Sequence, residues 1–320
     1  MDGKVSLISA HTGFGKTTIV SEWIRQTRRP FTWLSLDEQD NDPIRFLTYL
    51  IRALQRIRQN LGESLLESLH APQRKGSFTD QGGILEELVG EIGEIHPRFI
   101  LVLDDYHVIT NPAVQDILQF LLTNQPVSMH LVISTRTDPP WPMGRMRARK
   151  DVTEMRASDL RFTMQESVTF LNDRMGLGLS EQDVIALDTR TEGWIAGLQL
   201  AALSMQGQMN KHQFIENLAG SNRFISDYLV EEVLDKQPPA VQEFLLKTSL
   251  PAQINAGLCN ELLARDDSQS ALLYLEQSNL FLQSLDDDRC WYRYHHLFAD
   301  LLRIKLQQTQ PAGVAALQRC

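Results

Sequence analysis

The stretch Ala10-His11-Thr12-Gly13-Phe14-Gly15-Lys16-Thr17-Thr18 constrains this chain more than any other. It follows the spacing G-x-x-x-x-G-K-[ST], with alanine at the first glycine position. A short aliphatic run, Val5 to Ser9, precedes it, and a helical pattern, Thr17 to Gln26, follows. Strand, glycine-bearing turn and helix in that order turn backbone N–H groups and a helix N-terminus toward an anion. Gly13 and Gly15 let the backbone approach phosphate oxygens closely. Lys16 can reach the outer phosphates, the Thr17 hydroxyl can ligate Mg²⁺, and Thr18 closes the phosphate-binding set. An ordinary glycine-containing turn is the alternative, and the flanking strand and helix favour the triphosphate.

The pattern beyond the loop predicts an α/β fold. Phe31 to Leu36, Phe99 to Leu103, His130 to Ser134 and Val152 to Met155 read as further strands. Helical patterns separate them, one capped by Asp42-Pro43, one by Asn111-Pro112 and one running from Asp80 to about Ile95. Repeated strand-helix alternation implies a parallel sheet covered by helices on both faces. The pattern changes near Phe162. Helices are expected over Gln165 to Met175, Ser180 to Asp188, Trp194 to Met205 and again from Phe214. After Pro238-Pro239, three short helices precede a hairpin of Phe281 to Leu285 with Cys290 to Tyr294, around Asp286-Asp287-Asp288. Three helices and a β-wing suggest a winged helix. The expected fold is thus an α/β P-loop NTPase followed by an all-α helical domain and a winged-helix domain. The expected divisions are residues 1–161, 162–221 and 222–310, with 311–320 opening a C-terminal extension.

Two strand ends supply further chemistry. Phe99-Ile100-Leu101-Val102-Leu103 is a continuous apolar run closed by Asp104-Asp105, as expected of a strand buried on both faces. In P-loop proteins the acid of such a strand holds the magnesium shell, which assigns Asp104 to the metal. Asp105 is the candidate general base for an attacking water, its alternative being a solvated turn cap. Arg136, after Ser134-Thr135, can reach a γ-phosphate with planar guanidinium geometry; a surface salt bridge is the equal alternative.

The chain has 320 residues and a formal net charge of −9, which disfavours bulk electrostatic binding to DNA or an anionic membrane. No apolar run approaches the roughly 18 residues of a membrane span. Cys259, Cys290 and Cys320 are an odd set without metal-ligand spacing, expected as reduced thiols of a cytoplasmic protein. The basic run Arg145, Arg147, Arg149, Lys150 is expected as a solvated loop.

Several segments together resemble one family: SAHTGFGKTT, FTWLSLDEQDNDPIRFLTYLI, LVLDDYHVI, LVISTRTDPPWPMGRMRAR, EMRASDLRFT, TEGWIAGLQLAALS, FISDYLVEEVL and WYRYHHLFADLL. They are similar to the MalT-like branch of LuxR-family transcriptional regulators, in the STAND class of signal-transducing ATPases. The resemblance implies binding of ATP or ADP with Mg²⁺, an ADP-bound resting state, and homo-oligomer formation in the ATP state. It implies that Arg136 senses the γ-phosphate and that His295 touches the β-phosphate of ADP; a capping or wing-packing histidine is the alternative for His295. Gly193-Trp194-Ile195 matches the family's segment near the adenine. Family members carry a segment before the first strand, where this chain has Met1 to Lys4. They also continue into an inducer sensor and a C-terminal helix-turn-helix, so DNA binding is expected only through a domain absent here. The chain is expected to be the ATPase core alone: a nucleotide switch with slow ATP hydrolysis. A small-molecule P-loop kinase, a stand-alone ATPase and an inactive gene fragment are the alternatives.

Overall fold

The computed structural model describes residues 3–70, 81–208, 210–218, 222–286 and 288–310. Asp80, Asp287, Cys320 and the extension over 311–320 lie outside the described residues. The chain forms two compact units. One runs to Ala10 and resumes over Lys16–Arg156; the other comprises His11–Gly15 and the chain from Ala157 onward.

The first unit is built on five parallel strands: β1 (Val5–Ser9), β2 (Phe31–Ser35), β3 (Phe99–Asp104), β4 (Met129–Thr135) and β5 (Val152–Arg156), in spatial order β2-β3-β4-β1-β5. Its helices are α1 (Lys16–Thr27), α2 (Pro43–Leu54), α3 (Glu63–His70), α4 (Gln81–Gly93), α5 (Pro112–Thr123) and α6 (Met143–Ala148). Every residue of β3 and β4 is buried. Alternate strand residues Leu7, Leu101, Leu103, Leu131 and Ile133 join Phe46, Leu50, Leu88 and Ile117 in one core. The aliphatic runs therefore lack polar alternation because helices cover both sheet faces.

Local chemistry fixes where helices begin. The Asp42 side chain accepts from the Arg45 N–H and Asn111 from the Ala113 N–H, each with proline at the following position. Proline loses nothing there, since the first helical N–H has no internal partner. The helix α3 was not anticipated, and α6 replaces the expected loop: Arg145 and Arg147 lie on α6, with Arg147 bonded to Glu154 at 2.5 Å.

The second unit contains α7 (Ala157–Leu160), α8 (Met164–Val168), α9 (Glu181–Thr191), α10 (Ile195–Met205), α11 (Lys211–Glu216) and α12 (Arg223–Leu229). It continues with α13 (Pro239–Thr248), α14 (Ala256–Leu263), α15 (Ser268–Gln277), the hairpin β6 (Leu282–Ser284) and β7 (Tyr292–Tyr294), and α16 (His296–Thr309). The antiparallel pair registers Leu282 against Tyr294 and Ser284 against Tyr292, completing three helices and a wing. The helix expected over Gln165 to Met175 is not uniform: after Val168 it opens into a π-helical turn, Thr169–Arg174, and α12 likewise into Val230–Leu234. Such turns come from one extra residue per turn, which apolar spacing does not register. No helix among the described residues is long and apolar enough to cross a membrane.

Leu101 is fully buried in β3, so Leu101→Ala is expected to destabilise the first unit by about 2–5 kcal/mol. Denaturant titration checks this; a loss under about 1 kcal/mol would contradict burial on both faces.

Candidate functional site

Parallel pairing aligns the carboxyl ends of the strands: Ser9 stands opposite Thr135 and Arg156, and Ser35 opposite Asp104. Open α/β sheets bind ligands at this edge. The structure brings five of the expected residues together there: Lys16, Thr17, Asp104, Asp105 and Arg136. Lys16, first residue of α1, is buried and donates from Nζ to the Ala10 carbonyl at 2.9 Å. The Thr17 hydroxyl donates to the Asp104 carboxylate, 3.0 Å from Oδ2 and 3.3 Å from Oδ1. Asp104 is buried and also accepts from the Ser134 hydroxyl and the Asp105 N–H. Ser134 was not assigned a role in the sequence; it reaches Asp104 only because β3 and β4 are neighbours.

Burial drives the Lys16 amine down to about 8, and the nearby Arg136 charge adds to the fall; Asp105 and Asp104 act against it. Two cations and two carboxylates therefore share one small region. Asp105 has a left-handed backbone, φ 58°, and a half-exposed side chain with its Oδ1 3.7 Å from His107 Nδ1. Thr18 lies on the exposed side of α1.

The site fits a magnesium-bound phosphate chain on its own chemistry. The hydroxyl of Thr17 and the carboxylate of Asp104 are hard oxygen donors already facing each other. Mg²⁺ takes few protein oxygens and completes its shell with water and phosphate. Among the described residues there is no cluster of three or more His, Cys, Asp or Glu that could hold a metal by itself.

The loop residues His11–Gly15 belong to the second unit, and their partners there are specific. Gly13 and Gly15 have φ of +78° and +72°. A Cβ on Gly13 would sit 2.5 Å from Ala196 Cβ and 2.7 Å from Trp194 Nε1, so glycine is required twice over, by dihedral and by space. The Gly13 carbonyl accepts from the Ala196 N–H at 3.0 Å. The Thr12 carbonyl accepts from the Trp194 indole at 3.1 Å, and the Thr12 hydroxyl meets the Tyr228 hydroxyl at 2.9 Å. His11 donates to the Asn279 carbonyl and stacks on Phe281, with centroids 4.5 Å apart. Tyr228, Ala196 and Phe281 were not singled out in the sequence, since nothing local marks them as loop partners.

His295 stands at the N-cap position of α16 without a side-chain cap bond, and is buried against the rings of Trp194 and Phe281. Its Nε2 lies 2.9 Å from the Thr191 carbonyl. A carbonyl only accepts, so Nε2 carries the proton. Burial pushes this imidazole down to about 4, leaving it neutral with Nδ1 as an unprotonated acceptor, which has no hydrogen-bond partner among the described residues. Beside it, Glu192 takes both Arg293 nitrogens at 2.8 Å. Burial alone would raise the Glu192 carboxyl; the Arg293 bonds and the neighbouring charges hold it down at about 2.

Fold and strand-end geometry together define a P-loop ATPase fold followed by helical and winged-helix segments. A Walker-type ATPase of Pyrococcus abyssi shares the fold, with a TM-score of 0.61 at 15% identity over 94% of this chain and 91% of that one. The family described as the MalT winged helix domain matches residues 230–314. The serine/threonine-protein kinase PknK of Mycobacterium tuberculosis is 36% identical over 99% of this chain and 28% of its own length. The HTH-type transcriptional regulator MalT of Serratia proteamaculans is 36% identical over 99% of this chain and 35% of its own length. MalT of Yersinia enterocolitica is 35% identical over 95% and 33%. Nearly all of the chain is thus similar to a region that MalT regulators and PknK contain. It spans about a third of the length of these curated relatives, or less.

The lowered Lys16 value makes stability depend on pH. Its folded value lies below the ordinary 10.5, so the protonated amine costs stability below pH 8, and the cost is relieved as pH rises from 8 toward 10.5. Lys16→Met is therefore expected to stabilise the nucleotide-free protein at pH 7, by at most about 3 kcal/mol. Thermal unfolding checks this; a destabilised variant would contradict it.

Proposed function

We propose that this chain is an ATP/ADP switch module of a MalT-like transcriptional regulator, with slow ATP hydrolysis setting domain closure and self-association. The observation that carries the reading is the Thr17–Asp104 pair beside buried Lys16. In this reading the backbone from Gly13 to Thr18 wraps the phosphates and Lys16 neutralises the β- and γ-phosphate oxygens. Thr17 and Asp104 hold Mg²⁺, which would screen charge on the phosphate chain. Arg136 stabilises the γ-phosphate through planar guanidinium donors. Asp105 accepts a proton from the attacking water; its half-exposed side chain leaves room for that water.

His295 is assigned to the β-phosphate of ADP. With Nε2 donating to Thr191, the free Nδ1 presents a lone pair, which repels phosphate oxygen. The contact therefore requires the other tautomer, with the proton moved to Nδ1 and the Thr191 bond given up. Exchange of that bond for a phosphate contact would make His295 responsive to nucleotide. Oligomer formation in the ATP state, and DNA binding through a further domain, follow from likeness to the MalT regulators and are part of the same proposal.

Lys16→Ala is expected to abolish binding of both ATP and ADP in isothermal titration, and an unchanged affinity would remove the site assignment. Asp105→Asn is expected to keep ATP affinity within a few-fold while lowering phosphate release by at least about tenfold, within the usual range for losing a general base. Equal hydrolysis by wild type and variant would transfer the role of base to another group.

A further inference from the structure

The loop's outward side is held as carefully as its phosphate side. Helix α10 begins at Ile195, and its cap residue, Trp194, makes no side-chain cap bond. The first N–H groups of a helix lack internal partners and need acceptors from elsewhere. Here the Ala196 N–H takes the Gly13 carbonyl at 3.0 Å, so the phosphate loop itself caps α10. The Trp194 indole holds the next carbonyl back along the loop, that of Thr12. A third bond joins side chains: the Thr12 hydroxyl to the Tyr228 hydroxyl of α12 at 2.9 Å. Tyr228 also lies against the Trp194 ring, centroids 5.8 Å apart. Every one of these partners lies in the second unit, to which His11–Gly15 belong.

We propose that Tyr228 is a positioning residue for phosphate binding, acting through Thr12. The Thr12 and Gly13 carbonyls must point away from the phosphates if the N–H groups that follow are to point toward them, because carbonyl and N–H of one peptide plane face opposite ways. Trp194 and Ala196 hold the carbonyls outward, and the Tyr228 hydroxyl fixes the Thr12 side chain, setting the loop before nucleotide arrives. A preset loop loses less conformational entropy on binding. Without that hydroxyl Thr12 gains freedom, and each binding event must order it again. This inference rests on the nucleotide reading of the loop.

The test is a double-mutant cycle read by isothermal titration with ADP and Mg²⁺. Wild type must first bind ADP; if it does not, the nucleotide reading fails, whatever Tyr228 does. Given binding, Tyr228→Phe, which keeps the ring, is expected to weaken ADP by about 2- to 10-fold, the range of one net hydrogen bond. Thr12→Val removes the other hydroxyl at nearly equal volume and is expected to weaken it similarly. The double variant is expected to bind no worse than the weaker single one, because both changes break the same bond. Thr12→Ser, which restores a hydroxyl, is expected to recover affinity relative to Thr12→Val. Multiplicative losses in the double variant, or unchanged affinity in Tyr228→Phe, would overturn the proposal. Thr12→Val supplies the same comparison should Tyr228→Phe fold poorly.

Discussion

The buried ammonium of Lys16 is the constraint on which the rest of the first unit depends. A charge held out of water needs compensation. The fold offers the Ala10 carbonyl and two carboxylates, but sets Arg136 close by. Burial and the Arg136 charge outweigh the two carboxylates, which leaves Lys16 well below its ordinary value. Each element serves to place that amine. Strand β1 ends so that the turn begins at Ala10, α1 starts on Lys16 itself, and β3 brings Asp104 to the Thr17 hydroxyl through its place in the sheet.

In the second unit the loop residues His11–Gly15 serve as a structural ligand. Each of Thr12 and Gly13 satisfies a donor that would otherwise lack a partner, on the Trp194 indole and at the N-terminus of α10. Around His295, Glu192 and Arg293 form a charge pair with two parallel bonds, which ties the end of α9 to the wing strand β7. Such paired geometry gives orientation as well as energy. The same region thus holds one titratable ring neutral and one carboxylate firmly ionised.

Much of this was legible in the chain. Five strands, the caps at Asp42 and Asn111 and the winged hairpin follow from short-range rules, because apolar period, proline and capping side chains act over a few residues. That Lys16, Thr17 and Asp104 would lie together was legible through motif spacing and strand order, whereas Arg136 was left even with a surface salt bridge until the resemblance was drawn. Tyr228, Ala196 and Ser134 were not, since their roles come from partners more than a hundred residues away, or on a neighbouring strand, that no local pattern names. The π-helical turns after Val168 and Leu229 also escaped, because one inserted residue leaves the apolar face nearly unchanged. His295 was singled out only by resemblance; its tautomer is set by the Thr191 carbonyl and could be read only from the fold.

If Lys16 awaits phosphate, binding must restore its proton. Calorimetric titration of ADP and Mg²⁺ at pH 8.5, in two buffers of different ionisation enthalpy, measures the protons exchanged. Net proton uptake by wild type is expected, with none in Lys16→Arg, whose guanidinium stays charged throughout. Equal heats in both buffers for the wild type would contradict the account.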